Sequence, residues 1–404
     1  MTNSPLGLFA YPWDVLDEGA DVVLDAVERA GLNTLYITTW YHSGMFFLPH
    51  NPRRRLYFPT PGALYFSPGE WHRRHPLAPP VSTLTDDWIG FWQDLARKCA
   101  ARGIGLSAWM PVLHNSGVGN AYPGMAVHNA WGDAVTHTLC PANEAVVDLV
   151  ASVMTDVVKL GVFDRVLLES IEYLPLRHGH HHEIIGVPLD GDIDFLASLS
   201  FSPALMQRLS QQGIDGEEVR RFVRDTCDHA LTGVERQPLG WAALEGAVGG
   251  QLGAYLRVRE SVLTEILAAA AQALRVQDGI RIGLLDFGPL YGLGPNGRRW
   301  QSGVDLDAQL PLVDEVHPTF YFTDADVLAA KIAQYREVVG DTVPQIPAIR
   351  AILPQTVDAA SLAAQVAGVS GHASGATFYN YSFMRLDTLD WIRAALDKHW
   401  RVGA

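Results

Sequence analysis

The chain has 404 residues, of which 48% are apolar, 10% aromatic and 18% charged, a balance that supplies a large core and excludes a disordered or fibrous protein. Acidic residues outnumber basic ones 44 to 30, for a net charge of -14, so the surface as a whole does not attract phosphate backbones or anionic lipid, and neither nucleic acid nor membrane is expected as a partner. Cys99, Cys140 and Cys227 are too few and too scattered for a disulfide framework or a zinc knuckle, and they read as free thiols.

The opening stretch MTNSPLGLFAYPWDVLDEGAD has no basic start followed by an apolar run, which leads to the expectation of a cytoplasmic protein. Along the chain, eight β-rich apolar runs recur with helical stretches between them: LGLFAY (6–11), TLYITTW (34–40), GLSAWM (105–110), RVLLES (165–170), IRIGLLDF (280–287), EVHPTFYF (315–322), PQIPAIR (344–350) and ATFYNYSF (376–383). Near-continuous apolar character is the mark of strands buried on both faces. Helices are predicted over 17–30, 85–101 and 143–160, ending at Gly31, Gly103 and Gly161. The fold class that follows is α/β, a (β/α)8 barrel forming one unit over residues 1–404. Long loops are expected after the second strand (41–82) and the fourth (173–198, through HGHHHE), where such barrels build active sites. Helical patterns over 203–231 and 241–276 make the next crossover far longer than one barrel helix, so residues 199–276 read as a helical insertion.

The fourth run ends in Glu169, with Glu172 three residues on, and the fifth carries Asp286 behind Leu284 and Leu285. Carboxylates on apolar strands are costly to bury, and two opposed ones are what glycosidic cleavage needs: one protonates the leaving oxygen while the other attacks the anomeric carbon or activates water. Aromatic residues stand at nearly every strand end, and sugar rings stack on them, while hydroxyls need fixed donors and acceptors. Trp40, His42, Trp109, His114, Asn115, Tyr173, His181, His182, His317, Tyr321, Arg350 and Asn380 are the candidate substrate contacts. The histidine cluster 178–183 lacks the spacing of H-E-x-x-H, so its imidazoles are expected to meet substrate and no metal or other cofactor is assigned. Of Arg53, Arg54 and Arg55, one or two could reach a substrate anion, although a structural role is the stronger reading. No nucleophile elbow or phosphate loop is present.

The segments SAWMPVLHN and LCPANEAVVDLVASVMTDVVKLGVFDRVLLES, roughly residues 105–173, resemble the central strands of hypothetical glycoside hydrolase-like barrel proteins and, more remotely, α-amylase and α-galactosidase types of barrel. In the latter the nucleophile is the acid closing the fourth strand, the position of Glu169 here. The resemblance implies a glycosidase with a carbohydrate as its partner; the 41–82 loop, expected to close one end of the pocket, adds action on a terminal sugar, and the expectation of a cytoplasmic protein adds a small oligosaccharide or glycoside as substrate. Which acid donates the proton is open. A metal-dependent sugar isomerase, epimerase or deacetylase, and a non-catalytic sugar-binding barrel, are the alternatives on the same fold.

Overall fold

The computed structural model describes residues 4–178, 184–187, 189, 191–233, 239–291, 298–299 and 301–400. Eight parallel strands form the barrel: β1 (Leu6–Ala10), β2 (Thr34–Thr38), β3 (Gly105–Pro111), β4 (Arg165–Glu169), β5 (Arg281–Asp286), β6 (Glu315–Pro318), β7 (Ala348–Arg350) and β8 (Ala376–Tyr379). They pair in the order β6-β5-β4-β3-β2-β1-β8-β7, and bridges between Val316 and Gln345 and between Thr319 and Ala348 close the ring. The sixth and seventh strands are shorter than their apolar runs. Pro318, Pro344 and Pro347 have no N–H to donate, which ends regular pairing at 318 and delays it to 348.

Side chains alternate across each strand. Leu8, Leu35, Leu106, Val166, Ile282 and Phe378 pack outward beneath the helices. Phe9, Tyr36, Trp109, Leu167, Leu285 and Ala348 pack inward, in a separate cluster. Lower in the interior, Arg165 Nε lies 2.6 Å from Glu315 Oε1, and His317 Nε2 lies 3.0 Å from the same oxygen. Gly283 leaves room for them, since a Cβ there would stand 3.0 Å from Leu167 and 3.2 Å from His317.

The outer helices follow their caps. Trp88–Ala101 starts at Asp87, whose side chain accepts from Gly90 N at 2.8 Å, and Glu144–Lys159 starts at Asn143, which accepts from Ala145 N. The helix predicted over 17–30 is instead two, Pro12–Glu18 and Ala20–Arg29, divided at Gly19, whose φ of 97° suits only glycine. The first of these short helices carries Asp14, Asp17 and Glu18 beside the carboxyl end of β1.

Within the stretch read as an insertion, the helices Pro203–Gln211, Gly216–Leu231 and Trp241–Gly246 bury Leu205, Leu209, Val219, Val223 and Leu244 in a core of their own. The helix Gln251–Leu274 contributes Leu252 to Val262 to that core and Leu263 to Leu274 to the barrel's outer layer. All three cysteines are buried. No helix of the described residues is long and apolar enough to cross a membrane.

Candidate active site

Inward parity at the carboxyl ends of the strands brings Tyr11, Trp109, Glu169, Arg350 and Tyr379 to one mouth, with Tyr41, His42 and Tyr321 supplied by the adjoining loops. Tyr11 is the hub of the rings: it stacks on Trp13 at 4.2 Å and lies 5.3 Å from Trp109. Its hydroxyl stands 3.1 Å from that of Tyr41 and 3.4 Å from that of Tyr379. Burial raises the pKa of all three phenols, so they act as neutral hydrogen-bonding groups.

Glu169 ends β4 at the floor of this mouth and keeps part of its surface accessible. Trp109 Nε1 donates to its Oε2. Desolvation among the rings raises its pKa to about 7, against the smaller opposing effect of that hydrogen bond. A carboxyl group with that pKa is protonated often enough at neutral pH to donate a proton and ionised often enough to take one back. Directly after it, Ser170 adopts a left-handed backbone (φ 57°), an uncommon conformation for a residue with a side chain.

The other acids named from the sequence lie elsewhere. Asp286 has the outward parity of Leu284; its carboxylate accepts from Tyr335 OH at 2.7 Å, on the helix Ala325–Val339, and from Gly288 N at 3.0 Å. Adjacent strand ends are therefore not enough to make Glu169 and Asp286 a facing pair, because alternation turns the two in opposite directions. Glu172 is buried and acts on the charge of Arg259, a fully buried residue whose guanidinium carbon sits 4.2 Å above the ring of Tyr173. Tyr173 itself lines a separate cavity of about 180 Å³ with Phe195 and Tyr291.

Four histidines gather beside the mouth. His42 and His114 stack with centroids 3.6 Å apart, His178 Nε2 lies 3.3 Å from His114 Nδ1, and His137 stands 6.3 Å from both His114 and His178. Burial, with His178 and His137 acting in the same direction, lowers the pKa of His42 to about 3, which keeps it neutral. Among the described residues no group of three or more His, Cys, Asp or Glu side chains could hold a metal ion. His181 and His182 lie outside the described residues.

Several predicted contacts have structural partners. Trp40 is buried and donates to Gly62 O at 2.9 Å. Asn115 caps the helix Ser116–Ala121 by accepting from Val118 N, and Asn380 accepts from Ser382 N. His317 is fully buried against Glu315, with its pKa lowered by desolvation.

Two residues of the neighbourhood escaped the sequence reading. His137 comes from a hairpin strand, Ala134–Leu139, with no spacing to His114 that would flag it. Asp14 is fully buried, accepts from Ser382 Oγ and from Tyr11 N at 2.9 Å, and has its pKa raised to about 7 by burial. Its place three residues after Tyr11, at a helix start, was the available signal.

Residues 41–82 pack over the β1–β2 side of the mouth. A short hairpin, Phe46–Phe47 with Leu56–Tyr57, turns Phe46 toward Tyr11 and Trp13. Arg54 Nε lies 2.7 Å from Asp17, to which Asn51 also donates at 3.0 Å, so this arginine is structural. Indole donors hold the rest: Trp92 bonds Tyr65 O at 2.7 Å and Trp88 bonds Ser82 O at 2.9 Å.

No protein-family model and no curated protein matches the chain. Among solved structures, the PgaB (BpsB) glycoside hydrolase domain from Bordetella bronchiseptica aligns over 99% of each chain, with a TM-score of 0.60 and 13% identity. A β-galactosidase from the psychrophilic Marinomonas ef1 gives 0.54 at 10% identity, covering 97% of this chain and 59% of that one. The chain has the barrel fold of these glycoside hydrolases. At such identities the likeness is one of fold.

Proposed function

We propose that the protein is a glycoside hydrolase in which Glu169 gives the departing glycosidic oxygen its proton. The observation carrying this reading is a carboxyl group with a pKa of about 7 at the carboxyl end of a barrel strand, ringed by aromatic side chains. Breaking a glycosidic bond needs an acid still protonated at the working pH, because negative charge builds on the departing oxygen as its bond to the anomeric carbon breaks and water takes its place there. Desolvation among Trp109, Tyr41, Tyr321 and Tyr379 meets that need. The same rings offer flat faces for a sugar's C–H surface, and the Tyr11–Tyr41–Tyr379 hydroxyls and the neutral His42 can both donate to and accept from its hydroxyls. The fold shared with proteins named as glycoside hydrolases supports the same reading.

Action on a terminal sugar of a small oligosaccharide or glycoside is the finer proposal. Its support is the packing of Phe46 and Tyr57 against Trp13, which fills one side of the mouth with residues 41–82. Asp286 is assigned to the scaffold. The test is a panel of methyl glycosides, whose departing alkoxide needs a proton, offered to the purified protein and to Glu169→Gln. Turnover of at least one glycoside, lost in the variant by several orders of magnitude, is the expected result; a panel without turnover, or turnover that survives the substitution, counts against it.

A further inference from the structure

Arg350 is the residue of the mouth whose charge goes unmatched. It lies on the inward face of β7, two residues after Ala348, which belongs to the interior cluster. Its Nε is buried without a hydrogen bond, and among the described residues no carboxylate lies within 4 Å of it. Its nearest cation contact is the ring of Tyr321, with the guanidinium carbon 5.9 Å from the centroid. Arg165, lower in the same barrel, sits instead against Glu315 at 2.6 Å. A guanidinium nitrogen shut from water without a partner is costly, and Arg350 keeps part of its surface open at the mouth, where a ligand can reach it.

Glu169 borders the same rings. Trp109, which donates to Glu169, lies 6.1 Å from Tyr379, and Tyr379 is the register partner of Arg350. Tyr321 and Tyr379 each feel both Glu169 and Arg350. A sugar resting on these rings therefore meets the acid at one edge and the guanidinium at another. Arg350 brings a fixed positive charge to the mouth. That matches one carboxylate, whose two oxygens fit the planar fork of the guanidinium.

We propose that Arg350 binds the carboxylate of an acidic sugar, so that the substrate is a uronic-acid glycoside. The proposal rests on the glycoside hydrolase reading for its substrate but not for its binding site, and binding tests the two apart. Calorimetric titration with glucuronate and galacturonate, against glucose and galactose, should show at least tenfold tighter binding of one uronate than of its neutral hexose. Raising the salt concentration should weaken the uronate and leave the hexose unchanged. Arg350→Gln should abolish the preference and Arg350→Lys should retain part of it, with an unchanged thermal unfolding midpoint in each variant as the control for folding. Equal binding of uronate and hexose by the unaltered protein, or a preference that survives Arg350→Gln, would overturn the proposal. Uronate binding without turnover of any glycoside upholds it while removing the hydrolase reading. Turnover of neutral glycosides without uronate preference does the reverse.

Discussion

Replacing Glu169 by Gln should make the protein more stable, by an amount that depends on pH in a way only its burial explains. Each tenfold displacement of an acid equilibrium corresponds to about 1.4 kcal/mol. The displacement from 4.5 to about 7 therefore makes ionised Glu169 cost the folded state about 3 kcal/mol. Because the folded pKa is raised, this cost is absent below pH 4.5, grows as pH climbs from 4.5 to 7, and is complete above 7. Gln keeps the shape of the side chain and an oxygen to accept from Trp109, but never ionises. Guanidinium chloride unfolding followed by the fluorescence of the 11 tryptophans should show the two proteins equal near pH 4 and the variant more stable by up to about 3 kcal/mol at pH 8. Asp14 is also raised to about 7, but it is present in both proteins and cancels in the difference. A difference that does not change with pH, or an unaltered protein more stable at pH 8, would refute the reasoning. For the proposed acid, lower stability at the pH where it would work is the expected exchange of stability for activity.

Three further outcomes follow from partners in the scaffold. Asp286→Asn and Tyr335→Phe should each lower stability by about 1.5–3 kcal/mol, the range for a hydrogen bond to a charged group, while turnover stays within a few-fold; a loss of turnover like that of Glu169→Gln would make Asp286 a catalytic candidate again. Glu315→Gln, measured by thermal unfolding, should cost about 3–5 kcal/mol, because it strips a buried counter-charge from Arg165; since His317 and Arg165 hold the Glu315 pKa low, the stability it contributes should be present above its ordinary pKa and lost as pH falls through the lowered one. Arg54→Ala should speed limited proteolysis within residues 41–82 and spare the barrel, read by mass spectrometry of the fragments, and uniform digestion would contradict the anchoring by Asp17.

Much of the barrel was legible because strands buried on both faces write themselves as continuous apolar runs, and glycines and caps such as Asn143 mark the helix ends. The same property hid the site. A continuous run does not reveal which residues face inward, so Glu169 and Asp286 looked equivalent, although one faces the rings and the other faces Tyr335. Parity becomes readable only with the register, which ties Glu169 to Pro111 on β3 and Asp286 to Pro318 on β6. The same limit applies to His317, whose partner Glu315 sits two residues away on the same face. Composition could point to Arg350 as a polar contact, but its want of a counter-ion exists only in three dimensions. His137 and Asp14 reach the neighbourhood through a hairpin and a broken helix, neither of which changes the apolar pattern.

The central claim is that Glu169 protonates the leaving oxygen, and leaving-group dependence tests it most directly. For a glycoside found to be turned over, kcat/KM of the unaltered protein and of Glu169→Gln is compared on an alkyl aglycone, which needs protonation, and on a 2,4-dinitrophenyl aglycone, which does not. The account predicts a loss of several orders of magnitude on the alkyl glycoside, near-normal rates on the dinitrophenyl glycoside, and an alkaline limb near pH 7 in the unaltered protein that disappears in the variant. Equal losses on both aglycones, or an alkyl glycoside cleaved by Glu169→Gln at the unaltered rate, would contradict it.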